Sequence, residues 1–234
     1  EFQYEISGNS YWRFRNNVMG QLRKIMNALN NPIDKETENM LLTVIKKDSS
    51  WIRASAIGFL GSSNETKYTD TYIKHLNDKS DRVINAAAIA LGKTKDIKAF
   101  DALKNLTTKS CMKNQSLISA LSGLKLLGDQ RAYEIAYNAL ADLKLPRWRL
   151  PDYSVWDYRI FAAQTITSLG RAKDVYPMIE ERLMVSLKEN DINGVFNNIL
   201  ILNILAESKT QEIYNLLQNK FKENTVLRSA VEQY

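Results

Sequence analysis

A phrase that returns at intervals along the chain does most to restrict what this sequence can fold into. The stretch "WIRASAIGFLG" (Trp51–Gly61) recurs without gaps as "RVINAAAIALG" (Arg82–Gly92), 31 residues later. Looser copies are "ISALSGLKLLG" (Ile118–Gly128) and "RIFAAQTITSLG" (Arg159–Gly170), whose final glycines follow after 36 and then 42 residues. Self-similarity at such a period indicates an array of like structural units.

Each copy has the residue spacing of a helix that is buried on more than one side. In the second copy the apolar positions cover most of the helix circumference at a period of 3.6 residues: Val83, Ala87, Ile89, Ala90 and Leu91. The small Ala and Ser residues predict that neighbouring helices approach closely. The glycine that follows each copy predicts a left-handed residue that ends the helix, at Gly61, Gly92, Gly128 and Gly170.

Amphipathic stretches between the copies predict a second helix for each unit. In one of them a single apolar stripe is formed by Ile97, Phe100, Leu103 and Leu106. The polar connectors often carry an aspartate that we expect to cap the next helix, as at Asp96, Asp129 and Asp174. No stretch alternates with a period of two, so we predict almost no strand beyond the candidate 2–6.

Stacking of helical pairs follows from this pattern. One pair cannot bury both faces of its small-residue helix, whereas stacked pairs share a continuous core. We therefore predict an all-α fold, a right-handed α-α superhelix (solenoid) of about six helical pairs in a single domain over residues 1–234. The chain starts without Met and ends inside a helical pattern, so we expect it to be a fragment of a larger protein.

The repeated pattern resembles HEAT-like repeats, especially the variety named after phycobilin-lyase subunits. The best copy is "DRVINAAAIALGKTKDIKAFDALKNL" (Asp81–Leu106), and Asp48–Leu76 and Asp157–Leu183 match it well. The resemblance implies a HEAT-like solenoid, a fold used for scaffolds, adaptors and domains appended to enzymes.

A second, looser resemblance concerns one region of the chain. The register of "DYRIFAAQTITSLGR" and "MIEERLMVSL" is similar to the C-terminal HEAT-like region of some bacterial zinc aminopeptidases of the aminopeptidase N family. That resemblance implies a domain that covers a catalytic cleft carried elsewhere in the parent protein. The family's zinc motif, H-E-x-x-H, is absent from this chain.

The residues needed for catalysis or metal binding are scarce. The chain has one His, His75, and one Cys, Cys111, which together cannot supply a zinc site. It contains neither a G-x-S-x-G nucleophile elbow nor a glycine-rich phosphate loop. We predict no catalytic residue, no metal and no cofactor in this chain.

The net charge and the hydropathy of the chain indicate which class of partner to expect. The net charge is +6, from 32 basic and 26 acidic residues, and no basic run exceeds two residues. A nucleic-acid partner is therefore disfavoured, because binders of that class concentrate their basic residues on one element or face. No run of about 18 apolar residues occurs, so we predict no membrane insertion. The expected partner is another protein or another domain of the same polypeptide.

An insertion that departs from the repeat, "PRWRLPDYSVW" (146–156), is the candidate binding region. Pro146 and Pro151 prevent a helix from running through it. Its aromatic and basic residues fit either a structural staple at a joint between helices or a contact surface for a partner, and both interpretations stay open. The candidate binding residues are Arg147, Trp148, Arg149, Tyr153, Trp156 and Arg159.

The function predicted from these observations is a non-catalytic interaction or supporting module, with the C-terminal domain of an aminopeptidase N-like zinc peptidase as the preferred parent. The alternative is a free-standing protein-binding adaptor. A minor alternative is a HEAT-like alkylpurine DNA glycosylase, in which the aromatic and Arg residues of the insertion contact DNA and Asp152 or Asp157 supplies a carboxylate. The rest of the chain does not match the pattern of that enzyme family.

Overall fold

A computed structural model shows helices through most of the chain. It describes residues 17–21, 23–24, 32–109, 114–142, 148–149, 155–156, 158–189, 191–205 and 219. The chain divides into two compact units, Glu1–Ala132 and Tyr133–Tyr234. The single domain that we predict for residues 1–234 stays a prediction.

The first unit contains helices of two kinds that alternate along the chain. After helical residues at 17–21 and 23–24 come α1 (Lys35–Lys47), α2 (Ser50–Leu60), a 3-10 turn (Thr66–Tyr68), α3 (Thr69–His75), α4 (Asp81–Thr94), α5 (Lys98–Thr107) and α6 (Gln115–Leu127). The small-residue helices α2, α4 and α6 pack side by side as one layer. The amphipathic helices α1, α3 and α5 form the second layer, and each packs on the small-residue helix that follows it.

This packing corrects the phase of the repeat. The sequence predicts that each small-residue helix pairs with the amphipathic helix after it, but α4 contacts the preceding α3 more extensively than the following α5. The structural unit is therefore an amphipathic helix followed by a small-residue helix. Three such pairs, α1–α2, α3–α4 and α5–α6, make up the described core of the first unit.

The second unit repeats the alternation. Its elements are α7 (Ala132–Ala141), β1 (Trp148–Arg149), β2 (Val155–Trp156), α8 (Tyr158–Ser168), α9 (Ala172–Lys188) and α10 (Ile192–Leu205). Helix α10 packs against both α9 and α8. The Tyr158 hydroxyl donates to the Asp142 carbonyl (2.8 Å), and Arg182 donates to the carbonyls of Leu140 and Ala141 at the end of α7. The predicted fold class, an all-α HEAT-like solenoid, is confirmed.

Two short strands lie where none was predicted. Strands β1 and β2 pair antiparallel within the insertion, with Trp148 opposite Trp156 and Arg149 opposite Val155. The prolines of the insertion exclude a helix, and Trp and Val favour extended backbone. The candidate strand at 2–6 lies outside the described residues.

The apolar stripe predicted for α5 is confirmed except at its first position. Phe100, Leu103 and Leu106 are buried, but Ile97 is 84% exposed. The helix begins at Lys98, so Ile97 occupies the N-cap position and does not continue the buried face.

The four repeat glycines serve two different purposes. Gly128 and Gly170 have left-handed φ values of 72° and 73°, as predicted for residues that end a helix. The prediction is wrong for Gly61, whose φ is −65°, and for Gly92, which lies inside α4. Both occur at close helix contacts, because an added Cβ would overlap Ala90 at Gly61 and the Gly123 carbonyl at Gly92.

Aspartates cap the helices at three of the connectors. The carboxylates of Asp34, Asp96 and Asp129 accept hydrogen bonds from backbone N–H groups of the following turn, at 2.8, 3.0 and 2.9 Å. The backbone N–H of Lys98 lowers the pKa of Asp96, and the Arg131 guanidinium lowers the pKa of Asp129. Asp174 was predicted to cap but lies in the first turn of α9, where it pairs with Arg171 (2.6 Å).

Substitution of Gly92 by Ala tests the close contact between α4 and α6. The added methyl group would meet the Gly123 backbone, which cannot rotate away, so we expect Gly92→Ala to lower the free energy of unfolding by about 1–3 kcal/mol or more. Helical Gly20 has no atom of the described residues within 4 Å of an added Cβ, so the control Gly20→Ala should be neutral or stabilising by up to about 1 kcal/mol. Urea titration measures both, and equal stability of the two variants would contradict the contact.

The capping carboxylate of Asp129 should make stability depend on acid pH. Its pKa is lowered in the folded state, so its contribution is fully present above the unfolded-state pKa and is lost as the pH falls through the folded-state pKa. The difference in unfolding free energy between wild type and Asp129→Asn should therefore be largest above about pH 5 and shrink below about pH 4. Glu180→Gln, which removes an exposed carboxylate of α9, is the control, and an equal pH-dependent difference in both variants would contradict the capping role of Asp129.

Candidate binding cleft

A cleft of about 360 Å³ lies between the small-residue helices α2 and α4 of the first unit. Its floor consists of small side chains because these helices approach closely: Ala54, Gly58, Gly61, Ala86 and Ala90. Ala54 and Ala90 are buried, and Ala86 is half-buried. The close approach of the helices thus leaves a shallow, apolar floor that is open to a ligand.

Among the described residues, three basic side chains line this cleft, and no Asp or Glu does. Arg82 and Lys93 belong to α4, and Arg23 lies next to Gly58 of α2, where an added Cβ would be 3.4 Å from Arg23 Nη1. Among the described residues none of the three forms an ion pair or a hydrogen bond through its side chain. Basic side chains elsewhere do pair, as in Arg53–Asp78 at 2.6 Å.

Arg82 is held by an aromatic ring. Its guanidinium carbon lies 3.1 Å from the ring centroid of Trp51, which is 39% exposed. The two residues occupy equivalent positions in neighbouring copies of the repeat, so the alignment of α2 with α4 brings them together. A stacked guanidinium keeps its N–H groups available at the edge of its plane for a carboxylate or phosphate.

The candidate binding residues of the insertion stay untested. Arg147 and Tyr153 lie outside the described residues. Trp148 and Arg149 form β1, Trp156 lies in β2, and only their backbone is described. Arg159 lies in the first turn of α8 and is 2% exposed. The structure thus brings the backbones of Trp148 and Trp156 together and buries Arg159, and the role of these residues in binding remains a prediction.

The described residues do not form a catalytic or metal-binding group. His75 is half-buried, and its Nδ1 donates to the Thr71 carbonyl at 2.7 Å, whereas Cys111 lies outside the described residues. In the described ranges no group of three His, Cys, Asp or Glu residues is placed to hold a metal ion. A search of the same ranges found no helix with the length and apolar character needed to cross a membrane.

Sequence reasoning missed the cleft because each of its residues is ordinary alone. The available signal was the gap-free alignment of the two best copies, which places Trp51 and Arg82 at one repeat position. Neighbouring repeats stack in register, so equivalent exposed residues become neighbours. Whether a basic side chain has an acidic partner depends on residues from several helices and has no local sequence signal.

A comparison with known families agrees with this geometry. Residues 38–122 match the family described as HEAT repeats. The match begins in α1, ends in α6 and includes the cleft residues of α2 and α4. No curated protein sequence matches the chain. The three helical pairs of the first unit are therefore HEAT-like repeats.

Proposed function

We propose that this chain is a non-catalytic protein-interaction module whose binding surface includes the cleft between α2 and α4. The observation that carries the proposal is the set of three basic side chains at this cleft, which have no acidic partner among the described residues. Charged groups that a fold leaves unpaired in a concave site are available to a partner, whereas surface charges paired with each other are already compensated.

Rigidity of the surrounding layer supports this function. The helices beside the cleft are fixed by fully buried side chains, among them Ile57, Leu60, Ala87 and Leu91. A surface that is already in its binding shape loses little conformational entropy when a partner docks. Stacked repeats present such surfaces along one layer, which suits a scaffold.

The finer proposal is that the chain is the C-terminal domain of an aminopeptidase N-like zinc peptidase. The register of α8 and α9, similar to that region of the family, supports it. The parent sequence tests it, because H-E-x-x-H upstream would support this assignment and its absence would remove it. A free-standing adaptor is the alternative, and it needs no upstream catalytic domain.

The DNA glycosylase remains the minor alternative. Its support is the residue composition of the insertion, which includes Asp152 and Asp157. Release of methylated bases from DNA by the full chain, abolished in Asp152→Asn or Asp157→Asn, would establish this activity and overturn the non-catalytic assignment. Undetectable release by the wild type would remove it.

Filling the cleft tests the proposed binding surface. Ala86→Trp places a large ring on the floor of the cleft, and we expect it to weaken capture of protein partners by at least about tenfold, since a docked side chain would lose its site. Ala102→Trp is the matched control, because Ala102 is half-buried in the amphipathic helix α5. Immobilised full chain with quantitative mass spectrometry of captured proteins measures the effect, and circular dichroism checks folding.

The insertion provides the competing surface in the same experiment. Trp148→Ala/Trp156→Ala should leave capture unchanged if the cleft carries binding. Loss of capture in this variant with Ala86→Trp unaffected would instead assign binding to the insertion. Equal capture by all variants would contradict both surfaces.

A further inference from the structure

We propose that the cleft between α2 and α4 recognises an acidic segment of a partner protein. The Arg82 guanidinium would bind a carboxylate through two hydrogen bonds, with Lys93 and Arg23 as flanking cations. This inference rests on the proposed function and adds the chemistry of the partner.

The charge of the cleft selects an anion. Arg23, Arg82 and Lys93 line it together, without an Asp or Glu among the lining residues and without an ion pair inside the described chain. Because their charges add in a concave site with apolar walls, the local positive potential exceeds that of scattered surface lysines. The overall charge of +6 does not produce this effect; the distribution of the charges does.

The orientation of Arg82 favours a carboxylate. Stacking on Trp51 restricts the rotation of the guanidinium before a ligand arrives. Arginine binds carboxylates through two parallel N–H···O hydrogen bonds, which a fixed guanidinium plane forms with less loss of entropy. An ammonium group at this position would supply charge without the two-point geometry.

The spacing of the cations gives the length of the ligand. Arg82 and Lys93 are 11 residues apart on α4, which is about three helical turns, so they project from nearly the same face. The rise of the helix separates them by about 16 Å along its axis. An extended peptide covers that distance in about five residues. The expected ligand therefore carries two acidic positions separated by about four residues.

The floor of the cleft favours a peptide over a nucleic acid. The lining includes Ala54, Ala86 and the half-buried Ile89, which offer contacts for small apolar side chains, beside the polar residues Ser55 and Asn85. One face of Trp51 is already covered by Arg82, so a base cannot stack on that face without displacing the guanidinium. The inferred ligand is thus an acidic segment with small apolar residues between its carboxylates.

Fluorescence anisotropy with defined peptides tests the inference on the full chain. The probe is a fluorescein-labelled peptide of about twelve residues with two Glu pairs flanking four Ala and Leu residues, and its control carries Gln in place of Glu. We expect the Glu peptide to bind at least about tenfold more tightly than the Gln peptide, and Arg82→Gln/Lys93→Gln to remove that difference. Arg82→Lys, which keeps the charge but lacks the planar guanidinium, should retain part of the difference in affinity between the two peptides.

The matched control removes the same charge from the other layer. Lys74→Gln/Lys104→Gln changes two exposed lysines in the last turns of α3 and α5, and it should leave the affinity within about twofold of wild type. Equal weakening by the two double variants would overturn the cleft as the site. Equal affinity for the Glu and Gln peptides would overturn the acidic ligand.

Three further outcomes test this inference and separate it from the proposed function. A single-stranded oligonucleotide that binds more tightly than the Glu peptide in an Arg82-dependent manner would overturn the protein partner. If Ala86→Trp abolishes partner capture while the Glu peptide does not bind, the interaction module stands and the acidic ligand is wrong. If the Glu peptide binds through Arg82 but Ala86→Trp leaves capture unchanged, the ligand chemistry stands and the cleft is not the main partner surface.

Discussion

Contact between the backbones of α4 and α6 is the constraint on which the first unit depends. At Gly92 and Gly123 no side chain separates the two helices, and Gly123 in turn lies close to the Ala88 carbonyl, which an added Cβ would approach to 2.6 Å. A similarly close contact lies between α2 and α4, where a Cβ added at Gly61 would overlap Ala90. The small-residue layer is therefore more tightly spaced than the amphipathic layer, where α3 and α5 touch only lightly.

The fold class was predictable because it depends on a pattern that the sequence repeats. The spacing of apolar residues, the runs of Ala and the period of about 31–42 residues all indicate stacked helices. The roles of individual glycines were not predictable in the same way. A glycine near the end of a helix suits both a left-handed cap and a close contact, and Gly128 and Gly92 represent the two cases. Only the position of the neighbouring helix distinguishes them.

The candidate binding cleft could not be predicted from the sequence, for a different reason. The insertion at 146–156 is the binding region that the sequence predicts, because Trp, Arg and Pro are concentrated there and such a local concentration is visible in the sequence. The cleft instead combines residues from α2, α4 and the helical residues near Arg23, none of which stands out locally. Whether a cation is paired depends on what surrounds it in three dimensions. Arg159, a predicted binding residue, is buried, whereas Arg82, an ordinary member of the repeat, stacks on Trp51 beside the cleft.

The backbone contact between α4 and α6 at Gly92 and Gly123 also restricts which substitutions this sequence can accept. Most core contacts tolerate an enlargement on one side if the other side becomes smaller. No amino acid is smaller than glycine, so a larger residue at either of these positions has no compensating replacement at the other. We therefore expect both positions to require glycine. The connectors between helices can lengthen, as the growing distance between successive copies of the repeat illustrates.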